Sequence, residues 1–120
     1  MTINHILIVD DSRTEQIYLS QILIAEGYAT QVASDTEEAQ RLIDLRRPDL
    51  VLLDVVMPGQ NGFQFARALS RDEKYKDIPI ILCTSKDQET DRMWGLRQGA
   101  KAYLVKPVQK SELLEKIRSL

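Results

Sequence analysis

The chain has 120 residues, which is enough for one domain with a full core and too few for two. Hydrophobic residues make up 43% of the chain and charged residues 28%, and a net charge of −2 with dispersed Lys and Arg argues against a nucleic-acid-binding protein. No apolar stretch approaches the roughly 20 residues of a membrane span, and residues 1–4 lack the features of a signal peptide, so we expect a monomeric cytoplasmic protein.

The first half of the chain alternates apolar runs with segments of helical period. Ser12 is expected to cap the first helix, with Glu15 at capping-box spacing, and Gly27 to end it. Asp35 is expected to cap the second helix, which ends before Pro48. The third apolar run has no polar position, which is typical of a central strand covered on both faces. The runs assigned to strands in this half are residues 5–11, 29–33 and 50–53. The first of them ends on two acids.

The second half continues this alternation. A turn at residues 57–62 leads to a helix with Phe63, Ala66 and Leu69 on its inward face. Cys83 lies within an apolar run, so we expect an inert core thiol. The remaining predicted elements are a charged loop at 72–77, a strand at 80–84, a helix from about Asp87 to Gln98, a strand at 102–105 and a last helix with Leu113, Ile117 and Leu120 inward.

The predicted fourth helix contains the only tryptophan of the chain. We expect Met93 and Leu96 to face the sheet, which turns Trp94 to one side. There Trp94 is either exposed to a partner protein or packed over a neighbouring helix. Gly95 costs on the order of 1 kcal/mol in a helix relative to Ala, which indicates either a helix loosened for movement or a close packing contact.

Five strand–helix pairs in strict alternation predict an α/β fold with a parallel sheet. Right-handed crossovers in so short a chain favour a doubly wound, flavodoxin-like sheet with strand order 2-1-3-4-5 and five helices. The first and third strands are then neighbours, and ligands of such folds bind beyond the carboxyl ends of the strands. We therefore expect one domain over residues 1–120 with a pocket at that edge.

Charged residues end three of the predicted strands. Asp10 and Asp11 follow the first and Asp54 the third, so these carboxylates should share the pocket, with Thr84 and Lys106 at its rim. One like-charge pair about 4 Å apart costs roughly 4 kcal/mol at an effective dielectric of about 20, and Lys106 supplies only one compensating charge. Mg²⁺ can compensate the remaining negative charge, because it binds one or two protein carboxylates and keeps its other coordination positions for water and phosphate. An Asp beside Mg²⁺ is also a competent nucleophile toward phosphorus.

These residues form a pattern that resembles the receiver domains of two-component response regulators, the CheY-like proteins. The matching residues are Asp10-Asp11-Ser12, Asp54, Met57-Pro58, Gly62, Thr84 and Lys106-Pro107. The spacing agrees as well, with 30 residues from Asp54 to Thr84 and 22 from Thr84 to Lys106. The resemblance covers the whole chain.

The resemblance implies that Asp54 accepts a phosphoryl group from a phosphohistidine of a histidine kinase. The chain would then be a phosphoacceptor switch and not an enzyme, although it would assist its own phosphorylation and dephosphorylation. The resemblance also implies that Asp11, Asp54 and the backbone carbonyl of Val56 bind Mg²⁺ or Mn²⁺, while Asp10 contributes through water. Lys106 would pair with the phosphoryl oxygens.

A switch after phosphorylation is implied as well. Thr84 would donate its hydroxyl to the phosphoryl group and move toward it. Tyr103 occupies the family's rotating aromatic position, although a half-buried strand tyrosine needs no switch. The surface for a downstream protein would include Trp94, Arg97 and Tyr103, and the peptide bond before Pro107 is expected to be cis.

A narrower resemblance concerns the predicted fourth helix and its flanks. The chain is similar there to the PilH-type receivers of type IV pilus chemotaxis systems, which implies control of pilus-driven twitching motility downstream of a CheA-like kinase. The similar segments are residues 58–59, 61–64, 83–92, 94–95, 97–100 and 106–108. Because the sequence ends within the fifth helix, we expect no output domain. Output would be binding to another protein, or action as a phosphate sink for a shared kinase, and the sequence does not separate these two.

Three other functions share parts of this pattern. A phosphatase of the haloacid dehalogenase type needs Asp-x-Asp, whereas Val56 stands at the second acid position. A flavin or dinucleotide module presents a Gly-rich or hydroxyl-rich loop after the first strand, where Asp10 and Asp11 would repel phosphates. A pseudo-receiver that binds partners without phosphorylation is disfavoured because every pocket residue is present.

Overall fold

The computed structural model describes residues 2–120 and shows a five-stranded parallel sheet of order β2-β1-β3-β4-β5, which confirms the predicted doubly wound α/β fold. The strands are β1 (His5–Val9), β2 (Ala29–Ala33), β3 (Leu50–Leu53), β4 (Ile80–Thr84) and β5 (Ala102–Val105). The helices are α1 (Arg13–Ala25), α2 (Thr36–Leu45), α3 (Gly62–Arg71), α4 (Glu89–Arg97) and α5 (Lys110–Arg118). Within residues 2–120, no helix combines the length and the apolar character needed to cross a membrane.

Two apolar cores lie on opposite faces of the sheet, because successive side chains of a strand point to opposite sides. Leu7 and Val9 of β1 belong to the core shared with α2 and α3, whereas Ile6 and Ile8 belong to the core shared with α1 and α5. Cys83 lies in the second core, where burial raises the pKa of its thiol, as expected of an inert cysteine. The central strands are thus covered on both faces, as their apolar sequences predict.

The register of β1 and β3 determines where the acids that follow these two strands lie. Val9 pairs with Leu53, and the residue that follows each of them is an aspartate. The Asp54 N–H donates to the Val9 carbonyl over 2.9 Å. Asp10 and Asp54 therefore lie side by side at the carboxyl edge of the sheet, where doubly wound folds bind their ligands.

Three helices at this edge begin at side-chain caps. Ser12 caps α1 and Asp35 caps α2, as predicted. The start of α3 has a full capping box that was not predicted: Asn61 Oδ1 accepts from the Gln64 N–H, and Gln64 Oε1 accepts from the Asn61 N–H. These caps satisfy amide donors that the first turn of a helix would otherwise leave unpaired.

The start of α3 lies directly against the end of β3. The buried Gly62 donates its N–H to the Val55 carbonyl over 2.8 Å. A Cβ atom at Gly62 would lie 2.8 Å from the Val55 Cα and closer still to the Asp54 carbonyl oxygen. Both neighbours are backbone atoms, so glycine is what allows this approach.

Two helix ends differ from prediction. The fourth helix begins at Glu89 rather than at about Asp87. The Asp91 carboxylate accepts a hydrogen bond from the Gln88 N–H over 3.3 Å, which marks the helix start at this point. The fifth helix ends before Leu120, so this predicted core residue lies outside the helix and is 42% exposed.

The face that α4 turns to the sheet also differs from prediction. Met93 and Leu96 were expected to face inward, but they are 49% and 43% exposed. Gly95 faces the sheet instead, where a Cβ atom would lie 2.7 Å from Leu82 Cδ1 and 2.9 Å from Tyr103 Cδ2. Of the two interpretations of Gly95, close packing is therefore the one that the structure supports.

Candidate functional site

Adjacent strand ends bring the predicted site residues together at the carboxyl edge. Asp10 follows β1, Asp54 follows β3, Thr84 ends β4 and Lys106 follows β5. These four strands are consecutive neighbours in the sheet, so their ends form one line. Asp11 lies beside Asp10 in the loop that enters α1.

Three carboxylates meet along this line. One oxygen each from Asp10, Asp11 and Asp54 lies within 4.8 Å of the other two. Asp10 and Asp54 are only 2% and 7% exposed, whereas Asp11 is exposed to solvent. Clustered carboxylate oxygens of this kind fit a hard divalent cation such as Mg²⁺, which would enter from the side of Asp11.

Lys106 joins the two buried carboxylates. Its Nζ lies 2.8 Å from Asp10 Oδ2 and 3.3 Å from Asp54 Oδ2. The peptide bond between Lys106 and Pro107 is cis, as expected. One ammonium facing two carboxylates gives two charge-assisted hydrogen bonds, which are stronger than neutral ones.

Backbone amides hold the other oxygen of each buried carboxylate. The Ser12 N–H donates to Asp10 Oδ1 over 2.9 Å, and the Val55 N–H donates to Asp54 Oδ1 over 2.7 Å. Each side chain is therefore fixed at one oxygen by the backbone and directed by the other toward Lys106. The orientation of Asp54 is set before any ligand arrives.

Burial shifts the acid–base equilibria at this edge. Burial raises the pKa of Asp10, and the hydrogen bond from Lys106 opposes this shift without cancelling it. For Lys106, burial alone would lower the pKa, but the hydrogen bond to Asp10 and the charges of Asp54 and Asp10 outweigh it and raise the pKa. Lys106 therefore stays charged, and it compensates only one of the three carboxylates.

Thr84 and Val56 lie at different depths. Thr84 is fully buried, and its Oγ1 accepts from the Lys86 N–H over 3.3 Å. It forms the floor of the site rather than the predicted rim, because β4 is an inner strand covered on both faces. The side chain of Val56, in the loop after β3, is 57% exposed.

Tyr103 does not contribute to an exposed surface, contrary to its assignment to the partner surface. Its side chain is 2% exposed, and its hydroxyl donates to the Lys86 carbonyl over 2.7 Å. The Arg92 guanidinium lies 5.5 Å from the ring centroid, and its Nη1 donates to the Tyr103 carbonyl over 3.3 Å. Close packing of Gly95 makes room for the ring in this inward position.

Trp94 and Arg97 are exposed, as their assignment to a partner surface requires. Trp94 is 47% exposed, and Met93 and Leu96 of the same helix are exposed as well; these three apolar side chains are called the α4 patch below. Trp94 also lines an open cavity of about 450 Å³ beside the β3–α3 loop, together with Val56 and Lys86. Val55, the residue that follows Asp54, also lines this cavity.

Two polar residues of α1 that were not predicted as site residues lie in the first turn after the acids. Gln16 is buried, and its Nε2 donates to the Asp10 carbonyl over 2.6 Å and to Ser34 Oγ over 3.2 Å. Glu15 was considered only as a capping residue, yet its Oε1 is buried and has no hydrogen-bond partner. The only sequence signal for this placement is that both residues lie in the first turn after Asp10-Asp11.

Comparisons with known sequences agree with this site. Residues 6–118 match the response regulator receiver domain family. The chain is 47% identical to the protein PilH of Pseudomonas aeruginosa, over 96% of this chain and 95% of that protein. It is 40% identical to the phosphate regulon transcriptional regulatory protein PhoB of the same species, over 96% of this chain and 50% of that protein.

Solved structures show the same likeness. The chemotaxis protein CheY4 of Vibrio cholerae matches with a TM-score of 0.90 and 31% identity over 98% of both chains. A CheY-like receiver domain protein of Methanospirillum hungatei matches with a TM-score of 0.88 and 30% identity, over 98% of this chain and 93% of that one. With the sequence match over residues 6–118 and the site geometry above, these results show that the chain belongs to the response regulator receiver domain family.

Proposed function

We propose that this chain is a phosphoacceptor response regulator in which Asp54 receives a phosphoryl group from the phosphohistidine of a histidine kinase. The observation that carries the proposal is the contact of Lys106 Nζ with both Asp10 and Asp54 inside a cluster of three carboxylates. An ammonium beside the acceptor carboxylate can pair with phosphoryl oxygens after transfer. Membership of the receiver family supports this role.

The transfer uses Asp54 Oδ2, the oxygen that faces Lys106. This oxygen attacks the phosphorus, the P–N bond of the phosphohistidine breaks, and its electron pair remains on the imidazole, which takes a proton from solvent. A bound Mg²⁺ or Mn²⁺ supplies positive charge to the phosphoryl oxygens. Asp11, Asp54 and the carbonyl of Val56 would hold this cation, with Asp10 contributing through water.

Signal output follows from Thr84 and Tyr103. Thr84 moves toward the phosphoryl group and donates its hydroxyl to it, and Tyr103 adjusts its position as Thr84 moves. The hydroxyl of Tyr103 bonds the Lys86 carbonyl, two residues after Thr84, so a shift of this loop reaches the ring directly. The α4 patch with Arg97 then binds a downstream protein, since exposed aromatic and Arg side chains are frequent at binding hot spots.

The pathway that we propose is control of type IV pilus twitching motility in the cytoplasm, downstream of a CheA-like kinase. The 47% identity to PilH over nearly the whole of both chains supports this choice. Trp94→Ala separates target binding from a phosphate sink. If output is binding through the α4 patch, this variant should lose motility control while it still accepts phosphoryl groups. If the chain is a phosphate sink, the variant should keep both motility control and phosphoryl acceptance.

Intact-mass spectrometry after incubation with acetyl phosphate tests the phosphoacceptor role. Wild type should gain one phosphoryl group, and only with Mg²⁺ or Mn²⁺ present, because uncompensated carboxylates repel the donor. Asp54→Asn should gain none. Asp49→Asn, which alters an aspartate at the opposite edge of the sheet, should label like wild type. Undiminished labelling of Asp54→Asn, or equal labelling in the presence of a chelator, would contradict the proposal.

A further inference from the structure

The capping box predicted at the start of α1 forms only by half. Ser12 Oγ accepts from the Glu15 N–H over 3.3 Å, as the spacing predicts. The return contact, from the Ser12 N–H to the Glu15 carboxylate, is replaced by a 2.9 Å hydrogen bond from the Ser12 N–H to Asp10 Oδ1. The Glu15 carboxylate is thereby released from its usual position over the helix end.

The released carboxylate lies among the charges of the site. Burial raises the pKa of Glu15, the charge of Lys106 opposes this shift, and the charges of Asp10 and Asp54 add to it. Glu15 lies in the first turn of α1, directly after the loop that carries Asp10 and Asp11. Glu15 Oε1 is buried and has no hydrogen-bond partner in the protein.

A buried carboxylate oxygen without a donor is unfavourable, so a donor is expected from outside the protein. Glu15 is not in the set of carboxylates whose oxygens lie within 4.8 Å of one another, which comprises Asp10, Asp11 and Asp54. Glu15 is thus placed outside the cluster of acids that would surround the cation. Mg²⁺ keeps several of its waters when it binds to proteins, so a carboxylate outside that cluster can bond to one of these waters.

We propose that Glu15 accepts a hydrogen bond from a water molecule on the cation held by Asp10, Asp11 and Asp54, and thereby raises the affinity for that cation. This inference rests on the cation site of the proposed function. Residues that bond to the ligands of a metal typically change its affinity about 10- to 100-fold when they are mutated. Glu15 is thus a positioning residue, which acts on the phosphoryl group through the cation.

Titration calorimetry with MgCl₂ on the purified, cation-free chain tests this role. Glu15→Gln keeps the size of the side chain and should weaken Mg²⁺ binding by about tenfold, the lower end of the range for such residues. Glu37→Gln is the matched control, since Glu37 is an exposed acid in the first turn of α2 at the same sheet edge. It should bind Mg²⁺ within about twofold of wild type, because exposed charges are screened by solvent and salt.

The melting temperature of the cation-free variants separates this role from a structural one. Removal of an unpartnered buried charge should leave the melting temperature of Glu15→Gln unchanged or raise it. A lower melting temperature with wild-type Mg²⁺ affinity would show a structural residue and overturn the inference, as would an equal loss of affinity in Glu37→Gln. Failure of wild type itself to bind Mg²⁺ would instead overturn the proposed cation site.

Discussion

Aspartates at the two edges of the sheet are in opposite electrostatic situations. At the amino edge, Asp49 Oδ2 accepts hydrogen bonds from the N–H groups of His5 and Asn4, both over 2.9 Å, and these lower the pKa of its carboxyl. At the carboxyl edge, burial raises the pKa of Asp10, even though Lys106 lies 2.8 Å away. The ionised form is stabilised at one edge and destabilised at the other.

This difference separates an aspartate that holds the fold together from one that serves a site. Asp49 links the start of β1 to the start of β3, and the folded protein satisfies its charge. Asp10 and Asp54 share a single ammonium, so the folded protein leaves negative charge uncompensated. Such a cluster lowers stability without a cation and attracts one, as is common where function opposes stability.

The largest expected effect is on the support of the carboxyl edge. Gly62→Ala places a methyl group against the backbone of Asp54 and Val55, which cannot move aside without displacing the acceptor. Unfolding in urea should show a loss of about 3 kcal/mol, the upper part of the range for overpacking. Arg67→Ala, an exposed position on α3, should change stability by less than about 0.5 kcal/mol. Equal stabilities of the two variants would show that this edge is not rigidly packed.

The next largest effect tests how much Asp49 stabilises the fold at the amino edge. Asp49→Ala removes the acceptor of two backbone N–H groups and should cost about 1–2 kcal/mol in urea unfolding at neutral pH. Asp77→Ala, an exposed acid before β4, is the control and should have little effect. Because the pKa of Asp49 is lowered in the fold from 3.8, its contribution is complete above 3.8 and is lost as the pH falls through the folded-state pKa. A gap between wild type and Asp49→Ala that widens in acid would contradict this account.

The effect of Asp10→Asn on stability should be opposite in sign to that of Asp49→Ala. The amide keeps an oxygen for the Ser12 N–H and removes a buried charge, while Lys106 keeps Asp54 as a partner. Differential scanning calorimetry without divalent cations should show a melting temperature about 3 °C higher than that of wild type. The gain should be absent when Mg²⁺ is added to both proteins, because the cation compensates the wild-type cluster. A lower cation-free melting temperature in Asp10→Asn would break the comparison between the two edges.

The smallest effect concerns pH dependence at the amino edge. Burial and the nearby charge of Arg46 lower the pKa of His5, and together they outweigh the opposing charge of Asp49. A lowered histidine pKa means that stability is complete above the unfolded-state value of 6.5 and is lost as the pH falls below it. The urea midpoint of wild type should therefore fall more than that of His5→Gln between about pH 7.5 and about pH 5.5. Parallel midpoints over this range would show that His5 does not titrate with unfolding.

Much of the fold was predictable because it depends on local composition and one topological rule. The runs at 50–53, 80–84 and 102–105 are short, largely apolar and bounded by turn or charged residues, and each is a strand at those bounds. Residues 29–33, which include Thr30 and Gln31, were the weaker strand prediction and also form a strand at the predicted bounds. Strand order follows from the alternation of strands and helices and from right-handed crossovers. The meeting of Asp10, Asp11 and Asp54 follows in turn from that order.

What the sequence could not show depends on contacts between distant elements. Hydrophobicity alone placed Met93 and Leu96 toward the sheet, but α4 approaches so closely at Tyr103 that only Gly95 fits there. The capping-box spacing at Ser12 suggested an ordinary helix start for Glu15, whereas Asp10, two residues before Ser12, accepts from the Ser12 amide instead. The first error arises where residues of other strands override a local preference, and the second where two local preferences compete for one amide.

The most direct test of the central claim is to locate the phosphoryl group. Borohydride reduction converts an aspartyl phosphate to homoserine, and peptide sequencing by mass spectrometry then identifies the modified residue. After treatment with acetyl phosphate and Mg²⁺, homoserine should be found at position 54, with Asp10, Asp11 and Asp49 unmodified. Homoserine at position 10 or 11 with Asp54 intact would contradict the assignment of Asp54 as the acceptor.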